Sequence, residues 1–122
     1  MLNLLAALVL LNLAPGSEPA GPLADDAQIV IGMLEERCIR CHGPEKQKGR
    51  LRLDSAEGIS SVIDPHYAPE SELFLAISRA HDDLDLMPAE GEPCSDAEIL
   101  AVLHWINAGA PMEQIAAHME KR

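Results

Sequence analysis

The residues with the most evident chemistry form one pentapeptide, Cys38-Ile39-Arg40-Cys41-His42. The pattern C-x-x-C-H is typical of the attachment site of a c-type haem. Two thiols at this spacing can each add across one vinyl group of the same haem and form two thioethers. The histidine that follows is held near the iron and can bind it as the proximal axial ligand. We therefore expect one haem c, covalently bound through Cys38 and Cys41, with His42 on the iron.

Two other kinds of site also use a C-x-x-C pair, a zinc knuckle and a redox dithiol. A four-ligand zinc site needs a second pair of ligands, and Cys94 is the only other cysteine. A thioredoxin-like motif follows a strand in a βαβ unit, and no strand pattern precedes Cys38. The residues favour haem attachment, and a zinc-stabilised interaction module or a dithiol remains the alternative.

The second axial ligand of the iron must come from elsewhere, and a loop methionine is the best candidate. Met87 lies between turn-forming residues and follows His42 by 45 positions, across one predicted helix. Pro88 restricts Met87 to an extended backbone. Small single-haem cytochromes use this arrangement, with a loop methionine on the iron. The predicted axial ligands are His42 and Met87. The competing candidates are His66, His81 and His104, but a lone histidine is more often a surface residue than a ligand.

A basic segment follows the pentapeptide. Its four charged residues are spaced by two: Lys46, Lys48, Arg50 and Arg52. If this stretch is extended, all four point to one side, and Leu51 and Leu53 point towards the core. A solvated basic face is the simpler interpretation. The functional interpretation is that Arg50 or Arg52 contacts the haem propionates.

Charge and composition limit the partners of the chain. It has 122 residues, which suits a single domain, with 9 Lys and Arg against 20 Asp and Glu and a formal charge of -11. This balance argues against nucleic acid and anionic membranes as partners. It fits a redox protein partner with a basic docking face. With one Trp, one Tyr and one Phe, the core is limited, and a haem would enlarge it.

The N-terminal residues resemble an export signal. Residues 1–13 are almost entirely apolar, a run too short to span a bilayer but suited to the h-region of a signal peptide. Small residues precede Ser17, so the sequence predicts a signal peptide over 1–16 and a linker over 17–25. An N-terminal core helix is the alternative. Bacterial haem is attached to C-x-x-C-H outside the cytoplasm, so we expect a periplasmic or otherwise exported protein with no stable membrane span after cleavage.

Hydrophobic periodicity predicts an all-α domain over 26–111. A first helix from about Asp26 to Arg37 delivers the pentapeptide at its C-terminal end, with Met33 packed in the core. Asp54 to Glu57 predicts a short helical turn. A further helix begins near Pro69 and ends at His81 to Asp83. Its predicted buried residues are Leu73, Ala76, Ile77 and Ala80.

The last main helix has the clearest boundaries. Ser95-Asp96-Ala97-Glu98 is a capping box, and Gly109 with Pro111 predicts its end. Cys94 can act as the apolar residue of a hydrophobic staple before the cap. The predicted buried stripe is Ile99, Leu100, Leu103 and Ile106, with Val102 and Trp105 beside it, and this stripe is expected to pack on the first helix. Residues 112–122 predict a short helix or tail, with Ile115 and Met119 facing inwards.

Two stretches resemble a known family. The sequence "CIRCHGPEKQKGRLRLDS" followed by "LDLMPAEGEPCSDAEILAVLHWINAGAP" is similar to the planctomycete-type cytochrome c domain, over roughly residues 27–111. Two positions depart from the family pattern: Ala89 replaces a frequent second proline, and Cys94 replaces an apolar residue. The resemblance implies a small class I cytochrome c-like helical fold wrapped around one haem, held by Cys38 and Cys41, with His42 proximal and Met87 distal.

The expected function is therefore a mono-haem cytochrome that carries single electrons and is not an enzyme. One alternative is a haem-based enzyme or gas sensor, in which Met87 is not bound and the distal side of the iron is open. Another is the haem domain of a larger, truncated protein, because the family's domain often begins much longer chains.

Overall fold

The computed structural model describes residues 22–122, and in this range the chain is helical, with five α-helices and no strand. The all-α prediction is confirmed. The helices are α1 (Pro22–Met33), α2 (Ala56–Ser60), α3 (Glu72–Ser78), α4 (Asp96–Asn107) and α5 (Glu113–Glu120). Short 3₁₀ turns occupy Lys48–Arg50 and Ala68–Glu70, and a π-helical turn occupies Leu34–Cys38.

The first helix differs from its prediction at both ends. Pro22 to Asp25 are already helical, so the predicted linker over 17–25 is wrong for these residues. Asp25 lies in the first turn, where negative charge is favourable. At the other end the helix widens after Met33 into the π-helical turn. The predicted signal peptide lies outside the described residues. No helix over 22–122 is long and apolar enough to cross a membrane.

The core is built where α1 packs on α4, as the sequence predicted. From α1 and the turn that follows it, the fully buried side chains are Val30, Met33 and Leu34. From α4 they are Ala101, Val102, Trp105 and Ile106. The indole Nε1 of Trp105 donates to the backbone carbonyl of Pro111 at 3.0 Å. The predicted stripe on α4 is partly wrong, because Leu100 is 50% exposed. Residues 99–103 are all apolar, so the pattern does not single out one face.

The C-terminal helix α5 closes the other side of this core. Ile115 is fully buried and Met119 nearly so, which confirms that both face inwards. On its surface, His118 Nε2 lies 2.9 Å from a carboxylate oxygen of Glu35, and Arg122 Nε forms an ion pair with the same oxygen at 2.8 Å. Helix α5 therefore packs as part of the domain.

The segment between the pentapeptide and α3 is more tightly turned than predicted. The prediction that the basic segment is extended is wrong, because Lys48–Arg50 form a 3₁₀ turn in which Gly49 and Arg50 have φ near +60°. Leu53 is buried as expected. Helix α2 confirms the predicted short turn, but its cap is Ser55, whose hydroxyl accepts from Gly58 N–H at 3.0 Å.

Helix α3 is shorter than predicted. A separate 3₁₀ turn precedes it, and it ends at Ser78. Leu73 and Ile77 are buried, whereas Ala80 lies beyond the helix and is exposed. Residues 79–95, called the Met87 loop below, connect α3 to α4.

Candidate functional site

One cleft brings together the four residues that the sequence predicted to attach the haem or bind its iron. Its volume is about 280 Å³, close to the lower end of the roughly 300–1,000 Å³ typical of ligand and cofactor sites. Most of its surface is apolar. The residues that line it include Cys38, Cys41, His42, Leu51, Leu53, Val62, Leu73, Ala76, Ile77, Met87 and Pro88.

The pentapeptide forms a tight turn at the end of the π-helical segment. The backbone N–H of Cys41 and that of His42 both donate to the carbonyl of Cys38, at 3.2 and 3.0 Å. A Cβ at Gly43 would lie 2.3 Å from the carbonyl oxygen of Ile39, so only glycine fits behind this turn. The turn places both thiols and the imidazole at the cleft, half-buried.

The imidazole of His42 is oriented by the backbone. Its Nδ1 lies 2.8 Å from the carbonyl oxygen of Lys48. A carbonyl can only accept, so Nδ1 carries the proton and Nε2 keeps its lone pair. Metal-binding histidines generally donate their other ring N–H in this way, which fixes tautomer and ring orientation. The contact with Lys48 therefore selects, for the neutral imidazole of His42, the tautomer that an axial ligand needs.

The thiols do not have the character of a redox dithiol. Burial raises the pKa of Cys38 to about 12, and the nearby Cys94 and Glu98 contribute in the same direction. Burial also raises the pKa of Cys94, to about 11. Catalytic dithiols work through a thiolate whose pKa is lowered, so the pKa of Cys38 argues against that alternative. Cys94 is buried in the core, in agreement with its predicted packing role.

Met87 reaches the cleft from the Met87 loop. Its backbone N–H donates to the carbonyl of Ala76 in α3 at 2.9 Å, and the preceding Leu86 is buried. The peptide bond between Met87 and Pro88 is cis. The side chain of Met87 is 37% exposed. The competing histidines are all exposed and none lines the cleft: His66, His81 and His104.

The positions of Arg50 and Arg52 in the structure do not support their predicted contacts with the haem propionates. Neither lines the cleft. Arg52 binds both carboxylate oxygens of Asp54, at 2.7 and 2.5 Å, and this pairing lowers the pKa of Asp54. The left-handed backbone at Gly49 and Arg50 breaks the alternation on which the prediction depended. Lys48 is the residue of the basic segment that lines the cleft.

Sequence reasoning missed two arginines that flank the cysteines. Arg40 Nη2 donates to the carbonyl of Glu90 at 2.6 Å, and Arg37 Nη1 donates to the carbonyl of Glu92 at 2.9 Å. The acceptors are backbone groups about fifty residues away in the chain. No residue type marks such an acceptor, so the sequence gives no signal for these contacts.

The donor set fits a c-type haem. Two thiols and an oriented imidazole come from one turn, a thioether comes from the Met87 loop, and the walls are apolar. Zinc-type clustering is not seen: in the part of the chain that the structure describes, no group of three or more His, Cys, Asp or Glu side chains is placed to hold a metal ion.

A helical domain with this turn and this cleft has the features of a c-type cytochrome domain. Residues 38–91 match the family model described as Planctomycete cytochrome C. This match supports a planctomycete-type cytochrome c domain in this part of the chain, and that family suggests haem binding and an electron-transfer type of function. Comparisons with curated proteins and with solved structures give no significant match.

Proposed function

We propose that the protein is a mono-haem c-type cytochrome that carries single electrons. Cys38 and Cys41 hold the haem covalently, and His42 and Met87 are the axial ligands. The haem supplies a one-electron redox centre. The observation that carries the proposal is the single cleft lined by these four side chains. Export to the periplasm or beyond, where haem attachment takes place, belongs to the same proposal.

The protein groups have distinct tasks in this function. The carbonyl of Lys48 holds the imidazole of His42 in one tautomer and orientation. The apolar walls limit solvent access and lower the local dielectric, and both of these tune the reduction potential. Met87 supplies a thioether, the ligand type that raises the reduction potential of cytochromes c. A positioned donor set in an apolar cleft is sufficient for electron transfer, and no proton donor or nucleophile is required.

The test of covalent attachment uses protein made with periplasmic haem-attachment machinery. Intact mass measurement after denaturation should show one haem adduct on the wild type and none on Cys38→Ala/Cys41→Ala. Cys94→Ala is the matched control, and it should keep the adduct because Cys94 is buried outside the cleft lining. A denatured wild type without an adduct would contradict the proposal.

A second function follows from the 37% exposure of Met87. If solvent or a small molecule displaces this side chain, the protein is a haem-based sensor or enzyme with an open distal side. The reduced wild type then binds carbon monoxide readily. An electron carrier shows instead the far-red sulfur-to-iron absorption band in its oxidised state and little binding of carbon monoxide in its reduced state.

The proposed redox partner has a basic docking face. The Met87 loop carries five acids within eleven residues, Asp82, Asp83, Asp85, Glu90 and Glu92. In their midst Leu84 is 98% exposed. An apolar side chain within a charged ring suits transient docking, in which charge guides the encounter and apolar contact holds it.

Electron transfer to a basic cytochrome or a basic copper protein tests this docking surface. The second-order rate should fall as salt rises, because screening weakens the attraction. Leu84→Ser should slow transfer at every salt concentration. Leu100→Ser is the control, since Leu100 is also exposed but lies on α4 away from the cleft. Rates that rise with salt, or that do not change with it, would contradict docking of the basic partner on the acids of the Met87 loop.

A further inference from the structure

Two arginines beside the cysteines bind the backbone of the loop that carries Met87. We propose that Arg40, assisted by Arg37, is a positioning residue that holds the Met87 loop over the cleft and so secures Met87 on the iron. This inference rests on the proposed axial ligation by His42 and Met87.

Arg40 makes a close contact with the Met87 loop, and the backbone conformation of the loop makes room for it. Its Nη2 donates to the carbonyl of Glu90 at 2.6 Å, three residues after Met87. The next residue, Gly91, has φ +86°, and a Cβ there would lie 2.6 Å from the same Nη2. The backbone conformation therefore favours glycine, and a Cβ at this position would have to displace the end of the Arg40 side chain. The loop bends around the guanidinium group of Arg40.

Arg37 makes a second, more buried connection. Its Nη1 donates to the carbonyl of Glu92 at 2.9 Å, and its Nε donates to the carboxylate of Glu98 at 2.9 and 3.1 Å. The hydrogen bond to Glu98 raises the pKa of Arg37. Arg37 also lines the cleft. It thus joins the π-helical turn, the Met87 loop and the first turn of α4.

These contacts complete the attachment of Met87 on both sides. Before Met87 the loop is held by the buried Leu86 and by the hydrogen bond from Met87 N–H to the Ala76 carbonyl. After Met87 it is held by Arg40 and Arg37. Because Arg40 lies within the pentapeptide itself, it ties the distal ligand to the segment that carries both cysteines and His42. Ordering the loop in advance lowers the entropy cost of iron ligation.

Because the acceptors are backbone carbonyls, the contacts are removed by substituting the arginines rather than the acceptor residues. Substitutions at Glu90 or Glu92 leave the carbonyls in place, whereas Arg40→Met removes the donors and keeps a long apolar side chain. Arg40→Lys keeps the charge and one donor. Arg79→Met is the matched control, because Arg79 is a positive residue at the start of the same loop that faces Asp83 at 3.9 Å.

The experiment titrates the oxidised haem protein with imidazole, which competes with Met87, and follows the far-red sulfur-to-iron band. We expect Arg40→Met to bind imidazole about three- to tenfold more tightly than the wild type, the factor for loss of one solvent-exposed hydrogen bond. Arg40→Lys should recover part of the difference, and Arg79→Met should remain within about twofold of wild type.

The outcomes separate this inference from the proposed function. A wild type without the far-red band contradicts ligation by Met87, and the positioning role fails with it. A wild type with the band, together with unchanged imidazole affinity in Arg40→Met, overturns the positioning role alone. If Arg40→Met does not load haem, Gly91→Ala carries the test, since its Cβ displaces the Arg40 contact from the loop side. Unchanged affinity in Gly91→Ala would likewise overturn the inference.

Discussion

The Nδ1 atom of His42 lies 2.8 Å from the carbonyl oxygen of Lys48, six residues further along the chain. The turn that aims this carbonyl depends on Gly49, whose φ is +65°. The orientation of the predicted proximal ligand is therefore set by a backbone conformation that side chains disfavour. Around it the backbone is also paired, since Lys48 N–H donates to the Cys41 carbonyl at 2.9 Å.

Gly49→Ala tests this dependence. A side chain in the left-handed region costs about 1–2 kcal/mol, so the variant should unfold at lower denaturant concentration. Gly32→Ala is the matched control with the same chemical change. Gly32 lies within α1, a Cβ there meets nothing within 4 Å, and alanine in a helix is favoured over glycine by about 0.5–1 kcal/mol. Relative to wild type, the denaturant concentration at the unfolding midpoint should fall for Gly49→Ala and rise for Gly32→Ala. Equal shifts would contradict the role assigned to Gly49.

A pair of substitutions on α4 tests the face that the structure assigns to the core. Ile106 is fully buried, whereas Leu100 is 50% exposed. We expect Ile106→Ala to lower the free energy of unfolding by about 2–5 kcal/mol and Leu100→Ala by no more than about 0.5 kcal/mol. Thermal or denaturant unfolding of the haem-loaded protein measures both. Comparable losses at the two positions would restore the stripe predicted from the sequence.

The same helix shows what the sequence could predict and what it could not. Its ends follow from local chemistry, and the Ser95 and Glu98 capping box forms with hydrogen bonds of 3.1 and 2.8 Å. Its buried face does not follow, because five consecutive apolar residues fit several orientations. Tertiary packing around Trp105 chooses among them.

The functional site also has parts that the sequence could predict and parts that it could not. Side chains with distinctive chemistry, Cys38, Cys41, His42 and Met87, could be selected by type and spacing, and the structure brings them to one cleft. The predicted roles of Arg50 and Arg52 depended on an extended backbone, which Gly49 interrupts. The contacts of Arg37 and Arg40 depend on backbone carbonyls that no sequence pattern marks.

The ion pair of Arg37 and Glu98 predicts a dependence of stability on acid pH. Partial burial alone would raise the pKa of Glu98, but hydrogen bonds from the Ser95 N–H and the Arg37 guanidinium outweigh it and lower the pKa below the ordinary value near 4.5. A lowered folded-state pKa stabilises the protein at pH values above the unfolded pKa. This contribution is lost as pH falls below that value.

Glu98→Gln measures this contribution. Glutamine keeps the capping geometry but not the charge, so we expect a loss of about 1 kcal/mol at neutral pH. The difference from wild type should vanish as pH falls through the region below about 4.5, where Glu98 itself becomes neutral. Denaturant unfolding across pH checks both statements. Glu45→Gln, at an exposed position, should show no such pH dependence, and a constant difference for Glu98→Gln would contradict the role of charge.

In the proposed function, ligation of the iron by Met87 is what distinguishes an electron carrier from a protein that binds small ligands. A thioether favours reduced iron, so His/Met ligation gives a higher potential than bis-His ligation. Met87→His should therefore lower the reduction potential and keep the iron six-coordinate. Met87→Ala should abolish the far-red band and let reduced protein bind carbon monoxide.

The control for these changes is Met112→Ala, because Met112 is half-buried beside the core but does not line the cleft. It should change stability without changing the potential or the far-red band. The acids of the Met87 loop are expected to lower the reduction potential, because negative charge near the iron favours its oxidised state. If Met87→Ala and Met112→Ala have the same spectrum and the same affinity for carbon monoxide, Met87 is not the sixth ligand. An open distal site, and with it a sensor or enzyme, then explains the cleft better than electron transfer.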